Sequence, residues 1–170
     1  QIFVNTNHGV GYAEDNILCP DRGYGAKPNL AGRWAFEKET AHHLNGGYAD
    51  SSGLSGGSKT QFPNGMPFNT PIGIKFIIKE LANKQERLDL YIDETNGLNG
   101  GDWKFVVGVT DTGTNWGVGS TACKSGVNPA KALLKELTQP DDGTIPSDLV
   151  VYFRHEHASM AYEKMSIREI

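Results

Sequence analysis

Arg33, Lys75, Tyr91 and Arg154 stand on four separate segments in which apolar and polar residues alternate. If the fold gathers them, they surround a space suited to an acidic sugar. A guanidinium holds a carboxylate through two parallel hydrogen bonds, and an ammonium adds a mobile charge. Glu37, Glu39, Asp89 and Glu156 lie on the same polar faces and offer acceptors for sugar hydroxyls. With Arg33 and Lys75 they make up a candidate substrate-binding set. An ordinary solvated sandwich face carries the same kinds of residue, so the pattern admits both readings.

Histidines are clustered as His42-His43 and His155-Glu-His157. Imidazole is the side chain best placed for proton transfer near neutral pH. A lyase working by β-elimination needs a base to take the proton beside a uronate carboxyl and a cation to neutralise that carboxyl. His42, Tyr91 and Arg154 are the candidate catalytic residues for such a step. The spacing of His155 and His157 puts both on one strand face, where they could chelate a metal. Val151 and Phe153 share that face, so the imidazoles equally suit the rim of a core. The turn Asp93-Glu-Thr-Asn-Gly-Leu-Asn-Gly-Gly-Asp102 supplies Asp93, Asn96, Asn99 and Asp102 as oxygen ligands for calcium. Turns favour the same residue types without any metal.

The elements that must position these groups are short strands. Trp34 and Phe36 fall on one face of Arg33–Thr40, with Arg33, Glu37 and Glu39 on the other. Ile72, Ile74, Phe76 and Ile78 alternate with Lys75, Ile77 and Lys79, and Leu88, Leu90 and Ile92 alternate with Asp89, Tyr91 and Asp93. Segments 103–109, 149–155 and 165–170 read as further strands. Trp34, Phe36, Ile74, Phe76, Leu88, Leu90, Ile92, Phe105 and Ile167 are the expected core. Asn128–Leu137 has helical spacing at Ala130, Leu133, Leu134 and Leu137, with Asn128 as cap and Pro129 in the first turn. Residues 44–71, rich in Gly, Ser, Asn and Pro, read as a long surface loop. The expected fold is therefore all-β: an antiparallel two-sheet β-sandwich (jelly roll) with one short inserted helix. Residues 1–170 suit a single domain.

The formal charge of −4 and the lack of a basic run argue against a nucleic-acid partner. No apolar stretch is long enough for a membrane span. The chain opens directly on Gln-Ile-Phe-Val, which reads as a mature or trimmed end. Cys19 and Cys123 fit one disulfide of an exported protein or two unrelated thiols. There is no phosphate-binding Gly-rich loop and no His-Glu-x-x-His.

Gly-Arg-Trp-Ala-Phe-Glu-Lys-Glu, Pro-Ile-Gly-Ile-Lys-Phe, Leu-Asp-Leu-Tyr-Ile-Asp-Glu with Gly-Asp-Trp-Lys, and the closing Met-Ser-Ile-Arg-Glu-Ile follow one another in that order. This order resembles the concanavalin A-like (LamG/laminarinase-like) jelly-roll domains of secreted microbial carbohydrate-active proteins, over about residues 30 to 170. The resemblance implies a secreted or cell-surface domain whose partner is a polysaccharide or surface glycan. It binds, or cleaves by β-elimination, an acidic polysaccharide on a concave sheet; the other reading is a non-catalytic lectin or adhesion module. The group's lyases carry a Gln-x-His strand that has no counterpart here, and its hydrolases a Glu-x-Asp-x-x-Glu strand that is also missing.

Overall fold

The computed structural model describes residues 1–6, 23–39, 48–82, 85–116, 149–155 and 160–168. Nine strands run through them: β1 (Ile2–Thr6), β2 (Gly23–Pro28), β3 (Arg33–Glu39), β4 (Tyr48–Asp50), β5 (Ser58–Thr60), β6 (Gly73–Leu81), β7 (Gln85–Asp93), β8 (Lys104–Asp111) and β9 (Leu149–Phe153). They form two antiparallel sheets. One has the order β4-β3-β2-β1-β9, with β5 also paired to β3; the other has the order β6-β7-β8. The described part is thus all-β with two sheets. No helix among the described residues is long and apolar enough to cross a membrane. The segment expected to be helical, Asn128–Leu137, lies outside the described residues, as do Cys19 and Cys123.

The sheets meet through the alternating faces the sequence marks. Tyr24, Ala26, Trp34 and Phe36 from the larger sheet pack with Leu88, Leu90, Ile92, Val107 and Val109 from the smaller one. Ile74, Phe76 and Ile78 of β6 are only partly buried against this core. Fully burying an aliphatic or aromatic side chain of this size contributes roughly 1.5 to 3 kcal/mol, so alternation in β3 and β7 is enough to hold the sheets in register.

Several expectations need correction. Phe105 is 52% exposed, not core. A β-bulge shifts the β7–β8 register between Leu90 and Tyr91, so Leu90 faces Val107 while Tyr91 faces Phe105. The extra residue, Val106, is buried along with Val107, and Phe105 turns outward. Ile167 is 71% exposed, and residues 165–168 form no strand, because alternation alone supplies no pairing partner. Residues 44–71 are not one free loop. Within them β4 and β5 pair with β3, and Ser51 is buried. Its hydroxyl accepts from the Phe36 backbone N–H and donates to the Gly57 carbonyl, while the Asp50 carboxylate caps the turn through Ser52 N. One buried Ser thus supplies the polar partners that keep a Gly- and Ser-rich segment attached to the sheet.

Candidate functional site

The outer face of the smaller sheet carries an aromatic platform. Lys75 of β6 stands opposite Tyr91 of β7, which stands opposite Phe105 of β8. The Lys75 ammonium lies 4.8 Å from the Tyr91 ring centre and 4.6 Å from that of Trp103. Tyr91 and Phe105 meet edge-to-face at 5.6 Å. Both Phe105 and Trp103 are open to solvent, Phe105 the more so. Lys75 has no carboxylate within ion-pair reach among the described residues, so its charge is held by ring faces alone. Glycines make room for the indole. A side chain at Gly73 or Gly101 would press on Trp103, and Gly101 also has φ +91°, which other residues rarely adopt.

Asp93 holds the loop that delivers Trp103. Its Oδ1 accepts from Thr95 N, Thr95 Oγ1 and Asp102 N, and its Oδ2 from Gly97 N. These bonds, led by that from the Thr95 hydroxyl, hold the carboxyl well below the usual Asp range despite its burial. Asn96 and Asn99 sit at positive φ in the same loop. The Asp102 carboxylate turns away to Lys104, 3.3 Å off. Asp93 thus spends both carboxylate oxygens on the loop's own donors, and the Asp102 carboxylate pairs with Lys104, so neither is offered free to a calcium ion. No cluster of three or more metal-binding side chains occurs among the described residues. Asp93→Ala is expected to speed hydrogen exchange at the Thr95, Gly97 and Asp102 amides and to lower thermal stability. Calcium titration of the unaltered protein should leave the melting temperature unchanged. Protection of those amides in the variant, or a calcium-dependent rise in melting temperature, would contradict this role for Asp93.

The outer face of the larger sheet carries a second polar cluster. Arg33, Glu37 and Glu39 share the β3 face opposite Trp34 and Phe36, and Arg33 pairs with Asp50 of β4 at 3.2 Å. Partial burial raises the Asp50 carboxyl, but hydrogen bonds from Ser52 and the charge of Arg33 hold it below its ordinary value overall. Glu37 binds Lys27 of β2, and Arg154 approaches Glu37 at 3.9 Å. The Arg154 guanidinium also lies 5.0 Å from the centre of the Phe3 ring and donates to Gln1 Oε1 at 2.7 Å. Phe3 stacks on Tyr152 at 5.2 Å and fills the space a side chain at Gly25 would need. Glu37 and Glu39 are buried rather than solvated.

The expected convergence of Arg33, Lys75, Tyr91 and Arg154 does not occur. Lys75 and Tyr91 meet, with Asp89 beside them on the same face. Arg33 and Arg154 belong to the far side of the other sheet, with the whole core between the pairs. Tyr91 and Arg154 consequently cannot act on one substrate group together. His42 and Glu156 lie outside the described residues, as do His43 and His157; His155 is exposed. Sequence reasoning missed Trp103 and Phe105 as surface groups, since both sit in an apolar run that reads as core. Their flanking Gly-Gly-Asp was the available signal for Trp103.

No family model, no curated protein and no solved structure matches this chain. The reading of function rests on the chemistry of these faces.

Proposed function

We propose that this chain is a carbohydrate-binding domain of the concanavalin A-like, jelly-roll kind, working in a secreted or cell-surface protein. Its sugar surface is the outer face of β6, β7 and β8. The observation that carries this reading is Lys75 held between the Tyr91 and Trp103 rings on an open sheet face. Pyranose rings lay their C–H faces on aromatic faces, and an ammonium among the rings attracts a uronate carboxylate. Binding without cleavage is the favoured form, because Tyr91 and Arg154 stand on opposite sides of the core. An adhesion module using the same platform is the same reading in a different setting.

The test is isothermal titration against oligouronates and neutral gluco-oligosaccharides. Trp103→Ala should weaken binding about tenfold, equivalent to about 1.4 kcal/mol. Absence of binding to every oligosaccharide, or unaltered affinity in a folded Trp103→Ala variant, would overturn the reading. Growth of ultraviolet absorbance from unsaturated uronate product would restore cleavage in place of binding.

A further inference from the structure

The platform continues into a polar region at the other end of the same face. Four residues along β7 from Tyr91, roughly 13 Å away at strand rise, stands Arg87. Arg87 lines a groove of about 370 Å³ together with Ser55, Gly108, Thr110 and Asn115. Gly108 matters because the Arg87 and Asp89 side chains occupy the space a side chain there would fill. Arg87 Nε and Nη2 both bind Asp89 Oδ1, at 2.8 and 2.7 Å. This pairing fixes the guanidinium while leaving Nη1 unengaged among the described residues. A pre-oriented donor loses less freedom when a ligand arrives.

The charge on this face is unusual for the molecule. Lys79 of β6 stands directly opposite Arg87 in the β6–β7 register, and Lys75 lies on the same strand nearer the platform. Lys79 is exposed and has no carboxylate partner among the described residues. Like charges directly opposite on neighbouring strands repel, and Asp89 compensates only one of the three cations. In a chain with a net charge of −4, the outward positions of β6 and β7 thus set Lys75, Lys79 and Arg87 against Asp89 alone. These residues lie on the face that also carries the ring platform.

We propose that Arg87, with the groove on its β8 side and Lys79 across from it on its β6 side, forms a second subsite, taking the anionic group of an acidic sugar within a chain whose rings stack at Trp103, Tyr91 and Phe105. The inference rests on the proposed sugar-binding reading and adds what selects the sugar. Carboxylate and sulfate ester offer the same acceptor oxygens to Arg87, Lys79 and the Thr110 hydroxyl. The ligand is therefore a linear acidic glycan lying along β7, with the neutral faces of its rings at one end and a charged substituent in the groove at the other.

The experiment compares oligogalacturonate, a sulfated galactan oligosaccharide and a neutral cello-oligosaccharide of similar length by titration calorimetry. The proteins are the unaltered chain, Lys79→Gln, Lys79→Gln with Arg87→Gln, and Trp103→Ala, each checked for an unchanged melting temperature. The unaltered chain should prefer one or both acidic chains to the neutral one, and which acid it prefers separates carboxylate from sulfate. The double variant should lose about ten- to a hundredfold in affinity for acidic chains, about 1.4 to 2.8 kcal/mol, and nothing for the neutral chain. Added salt should weaken the unaltered chain more than the variant. If Trp103→Ala weakens binding but neither charge variant does, the groove is not a subsite and the platform reading stands. Equal affinity for acidic and neutral chains would likewise rule out the subsite and leave the platform standing. If no oligosaccharide binds, or Trp103→Ala changes nothing, the platform reading falls and the subsite with it. If the double variant is destabilised, Lys79→Gln alone decides, since its exposed side chain contributes nothing to packing.

Discussion

Lys38→Met should destabilise the protein by about 3 to 5 kcal/mol, the usual cost of removing one partner of a buried ion pair. Lys38 lies on the core face of β3 and is fully buried, as is Asp111 of β8. Their Nζ and Oδ2 atoms are 2.7 Å apart, across the gap between the two sheets. The Tyr24 hydroxyl of β2 donates to the same Asp111 oxygen at 2.7 Å, and the Gly113 N–H holds the other. The methionine chain matches the lysine stem, so the packing loss is small and the effect reports the charge. The Asp111 carboxylate would lose its cation and stand beside Glu86 with a phenol and one amide for support. A loss of this size is a large part of the roughly 5 to 15 kcal/mol that holds a typical domain folded. Urea unfolding of Lys38→Met, Asp111→Leu and the double variant measures it. The double variant should be more stable than either single one, because no buried charge is then left alone. A Lys38→Met loss under about 1 kcal/mol would show that the pair is dispensable to the join between the sheets.

The same residue marks the limit of what alternation conveys. Trp34, Phe36 and Lys38 share a parity, yet a lysine at a strand end reads as solvated. Its partner lies in the other sheet and far along the chain, and no local pattern encodes that meeting. Alternation did identify the inward residues of β3 and β7 and the shared face of Lys75 and Tyr91, because side-chain direction follows the pleat alone. It could not say which sheet a strand joins. Arg33 and Arg154 have the right parity to face outward, but β3 and β9 belong to the larger sheet, so they face away from Lys75. Phe105 was misread for a different reason: one bulged residue inverts parity, and nothing in Phe-Val-Val announces it. Of the acidic turn, composition revealed the tight backbone but not that Asp93 spends both oxygens on the loop's own amides.

The stability of this protein should fall as pH rises from about 4.5 to about 7, and Glu86→Gln should remove that fall. Glu86 shares the inward parity of Leu88 and is buried, with no donor to its Oε2 among the described residues. In the strand register it stands between Glu80 of β6 and Asp111 of β8. Burial first, then the negative charges of Glu80 and Asp111, push its carboxyl up from the ordinary 4.5 to about 7. Lys38 and Tyr24, facing from the larger sheet, are already engaged by Asp111. Between those two pH values the folded chain keeps a proton that the unfolded chain has released. Folding is therefore linked to proton uptake, and raising pH favours unfolding. The contribution is complete below about pH 4.5 and is lost as pH passes through about 7. At about 1.4 kcal/mol per unit the ceiling is about 3 kcal/mol, and partial screening at the strand end brings the expected figure to about 2 kcal/mol. Unfolding free energies of both proteins at pH 5, 6, 7 and 8 test this. The difference between them cancels other titrating groups, and it should favour Glu86→Gln increasingly up to about pH 8. Parallel profiles would mean that Glu86 ionises as freely in the folded state as in the unfolded one. A Glu80→Gln variant should move the midpoint of the fall to lower pH, since it removes one of the two charges that oppose ionisation. An unchanged midpoint there would assign the whole shift to burial and to Asp111.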